Sequence, residues 1–260
     1  VEVRPGGETT LSIVIPAYNE QARLPGLLEK LSAEAEQTVA GAGMQLGEVL
    51  IVDDGSTDRS REIIGAAKSD RVKPVFAYPD NRGKGAAFAA GASRASCDHV
   101  LLADVDLSTP LGELGKLTAA IDAGADIAIG SRAVPGAVVE RGPLHRKVLG
   151  NAFNGAVRML TGLSVRDTQN GFKLFPTEPL QRYVARQTCP GFAFDVELLM
   201  RADREGLRIA EVPILYLHDA RSSVRVASAS PRMLRDVATL AYRLRGDRGV
   251  ADSADIVRPA

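Results

Sequence analysis

The sequence predicts a doubly wound α/β fold: a mostly parallel sheet covered by helices on both faces, with its chemistry at the carboxyl ends of the strands. Three observations lead there. Short aliphatic, β-branched runs alternate with segments of helical apolar spacing along 11–130. The first four runs each stop at a dense polar cluster, at 16–20, 53–58, 79–85 and 104–109. Strands alternating with helices at this spacing run parallel, so the four clusters meet along one edge, where open α/β sheets bind ligands.

The elements follow in order. Residues 11–15 (LSIVI) read as a buried strand ended by Pro16. Leu24, Leu27, Leu28 and Leu31 give 24–36 a helical period, and a Gly-containing loop follows at 41–47. A second strand, 48–52, stops at Asp53-Asp54-Gly55-Ser56, where Gly55 permits a tight turn. Thr57 or Asp58 can cap the next helix, which runs to about Ser69. Residues 72–78 form a third strand, and 85–95 form a helix of small residues able to pack closely on a sheet. Strand 99–103, helix 114–123 and strand 126–130 complete the pattern. Beyond 131 the pattern loosens into a basic Gly/Pro-containing stretch at 132–147 and a helix at 147–160. A polar loop at 166–175 then leads into a short strand, a helix starts near Asp195, and 208–217 is strand-like. An amphipathic helix at 231–245 ends the ordered part.

Composition sets broad limits. The 260 residues are 45% apolar, enough for a full core, and 32 acidic residues balance 32 basic ones. That balance gives no steer toward nucleic acid, and none is expected as a partner. Cys97 and Cys189 lie far apart without metal-type spacing and read as free thiols in a reducing compartment. No apolar stretch reaches the roughly 18 residues that span a bilayer, and the N-terminus has no h-region. The expectation is a cytoplasmic protein; the absent initiator Met points to a trimmed or processed chain and leaves an upstream anchor open.

Each cluster has a chemical reading and a plainer one. In Asp104-Val105-Asp106 the two acids of an extended segment point to one side, so both can face a single Mg²⁺ or Mn²⁺. A bare D-x-D is also a common solvated turn. Asp53 and Asp54 can accept hydrogen bonds from a base or ribose, or simply shape a turn and helix start. Pro16-Ala17-Tyr18-Asn19-Glu20 offers a ring and a carboxylate to a nucleoside, or a strand-ending turn. Asn81-Arg82-Gly83-Lys84-Gly85 opens a helix with backbone amides and Lys84 available to phosphate, and it does not fit the P-loop pattern. Arg132, with Arg141, Arg146 and Lys147, forms an anionic-substrate site or a solvated basic loop. The 167–173 loop (DTQNGFK) mixes an acid, amides and a base, a polar density that can hold a sugar's hydroxyls or be a plain turn. Asp195 and Glu197 open a helix, as an N-cap and first-turn acid or as groups of the site.

Taken in order, the segments IVIPAYNE, VDDGSTD, NRGKGAAF, ADVDLST, IGSRA, DTQNGFKLF and FAFDVELL resemble the inverting family-2 glycosyltransferases of GT-A fold. The likeness runs over about residues 12 to 217. The last two segments are most similar to dolichyl-phosphate β-glucosyltransferases and polyprenyl-phosphate mannosyltransferases. The resemblance implies that Pro16, Tyr18, Glu20, Asp53 and Asp54 bind the nucleoside. It implies that Asp104 and Asp106 hold metal and diphosphate, that Arg132 faces a donor or acceptor phosphate, and that Gln169 and Lys173 line the sugar and acceptor site. Asp195 and Glu197 sit where relatives place an acid close to the reaction centre. An anionic lipid phosphate needs little general-base help, whereas a hydroxyl acceptor needs a base, for which Asp195 is the candidate.

The expected donor is UDP-glucose or GDP-mannose, glucose preferred, and the expected acceptor a polyprenyl or dolichyl phosphate. One departure bears on the acceptor. Where relatives carry Gly-Ser-Lys, this chain reads Arg221-Ser222-Ser223-Val224-Arg225, so Arg225 has to substitute for the lysine. A soluble hydroxyl acceptor is therefore the alternative. A nucleotidyltransferase, which favours a Gly-rich signature near the N-terminus, and a non-catalytic nucleotide-sugar-binding protein are the other classes. Peripheral membrane contact through 231–245, with Arg232, Arg235, Arg243 and Arg245, stands beside packing of that helix on the sheet. The expected organisation is a flexible lead-in at 1–9, one domain at 10–245 with a nucleotide-binding part (10–131) and an acceptor part (132–245), and a flexible tail at 246–260.

Overall fold

The computed structural model describes residues 9–140, 144–217 and 226–246. Of the expected flexible segments, 1–8 and 247–260 lie outside the described residues, as do the basic residue Arg141 and the 221–225 segment with Arg225.

The strands in chain order are β1 (Thr10–Ala17), β2 (Gln45–Asp54), β3 (Val72–Tyr78), β4 (His99–Leu102), β5 (Ile127–Ser131), β6 (Val138–Val139), β7 (Lys173–Pro176), β8 (Ile209–Pro213) and β9 (Leu215–Tyr216). The helices are α1 (Leu24–Gly41), α2 (Ser60–Ala66), α3 (Lys84–Ala92), α4 (Leu114–Asp122), α5 (Leu144–Thr161), α6 (Thr177–Ala185), α7 (Phe194–Arg204) and α8 (Val226–Gly246). Seven strands form one sheet in the order β3-β2-β1-β4-β7-β5-β8, and β6 pairs with β9 apart from it.

Side-chain alternation builds a core on each face. Leu11, Ile13 and Ile15 of β1, with Val49 and Ile51 of β2, pack with α1, α2 and α4. Val14, Leu50 and Val52 point the other way, into a core shared with α3 and α5 to α8. The small residues of α3 let it lie close on the sheet: a Cβ at Gly91 would come within 2.5 Å of Val14 and 2.8 Å of Val52.

Three differences from the sequence reading matter. The first strand does not end at Pro16; it continues to Ala17, with Pro16 opposite Val52. The Val14 carbonyl faces β4, and Pro16, two residues on, faces the same side beyond the end of β4. Its missing N–H therefore costs no ladder bond. Helix α6, which no periodic signal marked, is a short amphipathic segment that buries Leu180, Tyr183 and Val184. Helix α8 buries Val237, Leu240, Ala241 and Leu244 against α5 and α7, not against the sheet. Those four side chains are thus covered, while Tyr242 stays exposed. Among the described residues no helix is long and apolar enough to cross a membrane.

The strand reversal at β7 positions the site. β7 runs antiparallel to both β4 and β5, with Lys173 opposite Leu102 on one side and Ile129 on the other. Its starting end therefore shares an edge with the finishing ends of its neighbours, and the 167–172 loop arrives there too.

Away from that edge, a buried carboxylate holds three strands in register. Glu48 is 2% exposed; it accepts from Ser12 Oγ (2.9 Å), Ser96 N and Oγ (both 2.8 Å) and Lys73 Nζ (2.6 Å). Burial alone would raise its pKa, but Lys73 and the Ser96 bonds outweigh burial and hold it below its ordinary 4.5. A carboxylate with a depressed folded pKa stabilises the fold above its unfolded pKa and loses that contribution as pH falls through the folded value. Glu48→Ala is expected to cost about 2–4 kcal/mol at pH 7, because buried donors lose their acceptor. Urea melts at pH 7 and pH 3 check this: the gap between wild type and variant should narrow at the lower pH.

Candidate active site

The polar clusters meet in a continuous row along this edge. Register places Ala17 of β1 opposite Asp53 of β2. Asn19, in the left-handed region at φ 54°, uses Oδ1 to accept from the Thr57 amide at 2.8 Å, and its own amide donates to Ser56 Oγ at 3.0 Å. The Glu20 amide donates to Ser60 Oγ at 2.8 Å. The turn after β1 and the loop after β2 are thereby locked together. Tyr18 stands 42% exposed on this rim, its ring open to a planar group. Asp58 does not cap α2 as a true N-cap; it accepts from Ser60 N at the first helical position and from Gln21 N across the loops.

Asp53 is fully buried. Its Oδ1 accepts from Ser56 N at 3.2 Å, while Oδ2 has no hydrogen-bond partner among the described residues and lies 3.8 Å from the Arg61 guanidinium. Asp54 plays a different part. It accepts from Gly83 N (2.7 Å), Arg82 N (3.0 Å) and Asn81 Nδ2 (2.8 Å), and so fastens the loop that opens α3. Burial raises its pKa more than these bonds lower it.

The fastened loop delivers Lys84 to Asp104, Nζ to Oδ1 at 2.6 Å. Burial opposes charge on both, but their mutual attraction wins: the Lys84 pKa is raised and the Asp104 pKa lowered. Behind Asp104 stands the backbone of Gly171, so close that a Cβ there would lie 2.2 Å from Oδ2. Asp106 closes a tight turn by accepting from Ser108 N at 2.9 Å through Oδ1. Glu20, forked onto Arg23 at 2.9 and 3.1 Å, lies within the field of both aspartates; burial foremost, then these charges, raise its pKa against the pull of Arg23.

Across the edge, Arg132 grips Asp167 through Nε and Nη2, both at 2.8 Å, while its own amide donates to the same carboxylate at 2.9 Å. Its guanidinium also lies 5.0 Å from the centre of the Tyr216 ring. The pair is mostly buried, and attraction overcomes burial, raising the Arg132 pKa and lowering that of Asp167. Lys173 is completely buried and donates to Asp195 Oδ1 at 2.7 Å and to the Asn170 carbonyl. Asp195 is therefore not the N-cap of α7; it sits within the first turn, and burial raises its pKa despite Lys173 and Lys84.

Other expected site residues go elsewhere. Gln169 turns its amide to Met233 Sδ of α8 at 3.0 Å. Glu197 is fully buried and its carboxylate is taken up by Thr188 N, Cys189 N at 2.8 Å and Arg201 Nη2 at 2.6 Å, so it anchors the 188–191 loop instead of opening toward the row. Arg146 and Lys147 belong to α5, and their side chains lie outside the described part. Asp167 and Gly171 were not singled out by sequence. The signal was their place in the polar 167–173 loop, where spacing assigned neither a role of its own.

The donor set suits a hard cation. Asp104 and Asp106 lie in a turn, closed by Leu107 N donating to the Asp104 carbonyl at 3.0 Å, and not in the extended segment expected to set both on one side. Both carboxylates act on Lys84 and Glu20, and among the described residues no cluster of three or more His, Cys, Asp or Glu forms a metal cage. Mg²⁺ and its like are commonly held by one or two carboxylates plus substrate phosphates, so the pair fits. Gly171→Ala tests how tightly this seat is built. Its methyl must displace the Asp104 carboxylate, and turnover is expected to fall roughly a hundredfold, as for a 1 Å misplacement. Steady-state kinetics alongside a thermal melt reads it; a normal rate with a normal melt would show that Asp104 need not stay where it is.

The profile of glycosyl transferase family 2 matches residues 12–186. The chain is 34% identical over 221 residues to the polyprenol monophosphomannose synthase of Mycolicibacterium smegmatis, covering 82% of this chain and 79% of that one. It is 35% identical over 217 residues to the dolichyl-phosphate beta-glucosyltransferase of Drosophila melanogaster, covering 79% of this chain and 66% of that one. In fold it is similar to glucosyl-3-phosphoglycerate synthase from Mycobacterium tuberculosis, solved with Mn²⁺, uridine diphosphate and glucosyl-3-phosphoglycerate (TM-score 0.61, 22% identity, 97% of this chain and 88% of that one). It is likewise similar to mannosyl-3-phosphoglycerate synthase from Rubrobacter xylanophilus (TM-score 0.64, 17% identity, 96% and 79%). A sheet of this topology, a D-x-D at the end of β4 and a family match over most of the length lead to one assignment: the chain belongs to glycosyl transferase family 2 and is a glycosyltransferase of GT-A fold.

Proposed function

We propose that the enzyme transfers a hexose, glucose in preference to mannose, from a nucleotide-diphosphate sugar to a polyprenyl- or dolichyl-phosphate-type acceptor with inversion at the anomeric carbon. One observation carries the reading: three cations, Lys84, Arg132 and Lys173, stand along one sheet edge beside Asp104, each already paired with a carboxylate. Such a row can meet a diphosphate leaving group and an anionic acceptor through Lys84 and Arg132, Arg132 staying oriented by Asp167, while the buried Lys173 adds charge from within and stays paired with Asp195. The names of the two sequence relatives add weight to a lipid phosphate.

Tyr18, exposed on the rim, would take the nucleoside; Asp53, whose Oδ2 is buried without a hydrogen-bond partner among the described residues, would have to be uncovered to accept from a base or ribose donor. Asp104 and Asp106 would hold Mg²⁺ or Mn²⁺, which when bound offsets charge on the departing diphosphate. Lys84 adds positive charge on the same side. Arg132, held flat by Asp167 and Tyr216, orients a phosphate, and Lys173 holds Asp195 toward the acceptor. With a phosphate acceptor Asp195 has no proton to remove and acts by position; with a hydroxyl acceptor its raised pKa suits it to take the proton.

That second reading, a soluble hydroxyl acceptor, is favoured by one finding: among the described residues of α8, Val237, Leu240, Ala241 and Leu244 are buried against other helices, so these apolar side chains are taken up inside the protein. The test is transfer from radiolabelled UDP-glucose and GDP-mannose, with Mn²⁺, to polyprenyl phosphate in liposomes and to a panel of soluble hydroxyl and phosphate acceptors. Lipid-extractable label from UDP-glucose is the expected result. Label confined to soluble products would sink the lipid assignment, and faster transfer from GDP-mannose would reverse the donor preference.

A further inference from the structure

We propose that Lys84 is the resident counter-cation of Asp104 and keeps a divalent metal out of the site until a nucleoside diphosphate arrives. The inference rests on the reading of Asp104 and Asp106 as the metal seat.

The geometry is specific. Lys84 Nζ lies 2.6 Å from Asp104 Oδ1, and the backbone of Gly171 closes on the same carboxylate from behind. One oxygen is thus taken by an ammonium, and the Gly171 backbone bars the carboxylate from swinging to its side. The lysine is not a wandering surface side chain. It is the first residue of α3, and the preceding glycine amide is tied to Asp54 at 2.7 Å. Its side chain is 22% exposed and that of Asp104 37%, so solvent screens the pair in part. Asp195 and Asp106 add to the field that keeps it charged and in place.

Charge arithmetic then orders the events. A bare divalent ion approaching Asp104 must displace the ammonium and remain beside it, two like charges in a confined space. A nucleoside diphosphate removes that conflict, since its phosphate oxygens accept from the displaced ammonium and share the metal. The exchange moves Lys84 from carboxylate to phosphate and frees Asp104 Oδ1. Metal and nucleotide affinities are then coupled, and the coupling is reciprocal. The device differs from a simple phosphate-binding lysine, whose removal would weaken nucleotide binding without improving metal binding.

The experiment titrates the whole protein with Mn²⁺ and follows free Mn²⁺ by electron paramagnetic resonance, with and without UDP. Three proteins are compared: wild type, Lys84→Met and Lys84→Arg, each checked for a cooperative melt. Wild type is expected to bind Mn²⁺ weakly alone and at least about tenfold more tightly with UDP. Lys84→Met is expected to bind Mn²⁺ alone about tenfold more tightly than wild type, with the dependence on UDP correspondingly reduced. Lys84→Arg, which keeps the charge, should exclude the metal as wild type does. Equal Mn²⁺ affinity of wild type and Lys84→Met without UDP overturns the inference while leaving the metal seat standing. Should Lys84→Met fail to fold, tight Mn²⁺ binding by wild type without UDP overturns it equally. No Mn²⁺ binding by wild type even with UDP removes the metal seat and the inference together.

Discussion

Asp106→Asn is expected to lower turnover about a thousandfold, roughly 4 kcal/mol of transition-state stabilisation, while leaving the melting temperature almost unchanged. The two halves of that expectation have separate causes. Structurally, Asp106 closes a turn by accepting from Ser108 N through Oδ1, and asparagine keeps an acceptor at that atom. Chemically, the amide is a neutral and poorer ligand for a hard cation, so the charge facing the diphosphate is lost. Kinetics at saturating Mn²⁺ with a parallel melt reads both. Retained turnover would remove Asp106 from the metal seat, and a collapsed melt would show that it serves the turn instead.

The second large effect is on stability. Lys173→Met is expected to destabilise the protein by about 3–5 kcal/mol, the usual cost of stranding one member of a buried ion pair. Lys173 is completely buried and is the close partner of Asp195; it also donates to the Asn170 carbonyl. Without it, Asp195 must stay charged in a buried site, between the opposing charges of Lys84 and Asp104, or bind a proton. Its pKa, already raised above the ordinary 3.8 by burial, rises further. A carboxyl whose folded pKa lies above its unfolded one favours folding at low pH and progressively less as pH rises through the folded value. The deficit of the variant should therefore shrink as pH is lowered from 7 toward 4. The double variant Lys173→Met/Asp195→Leu should recover much of the loss, because no charge is left behind. Chemical denaturation of both variants across that pH range is the measurement; a deficit independent of pH would place the damage in packing.

What the sequence made legible was whatever lies close along the chain. The β1 to β4 strands, the small-residue helix α3 and the polar clusters at the strand ends all follow from local period and turn chemistry. So does the expectation of a shared edge, since parallel strands deliver their ends together. Pairings across the chain were not legible. Nothing in the spacing tells Asp54 to hold the 81–83 loop, nor Asp167 to hold Arg132. Glu197 and Asp195 are two residues apart on one helix, and the sequence offered both to the site, with Asp195 the candidate base. On a helix that spacing turns the side chains to different faces, one toward Lys173 and the other toward the 188–191 loop. The reversal at β7 escaped for a similar reason: a short apolar run has no direction until its neighbours are known.

That reversed strand also dictates a schedule. β7 fills the gap between β4 and β5, yet it is made more than forty residues after β5. A ribosome that has released residue 131 has released β1 to β5 without the piece that joins β5 to the rest. The facing edges of β4 and β5 then stay open until residue 176 emerges. Open edges of buried, apolar strands are templates for pairing with other chains. Yield in a cell should therefore respond to how quickly the 132–172 stretch is translated, and chaperone demand should peak during that interval.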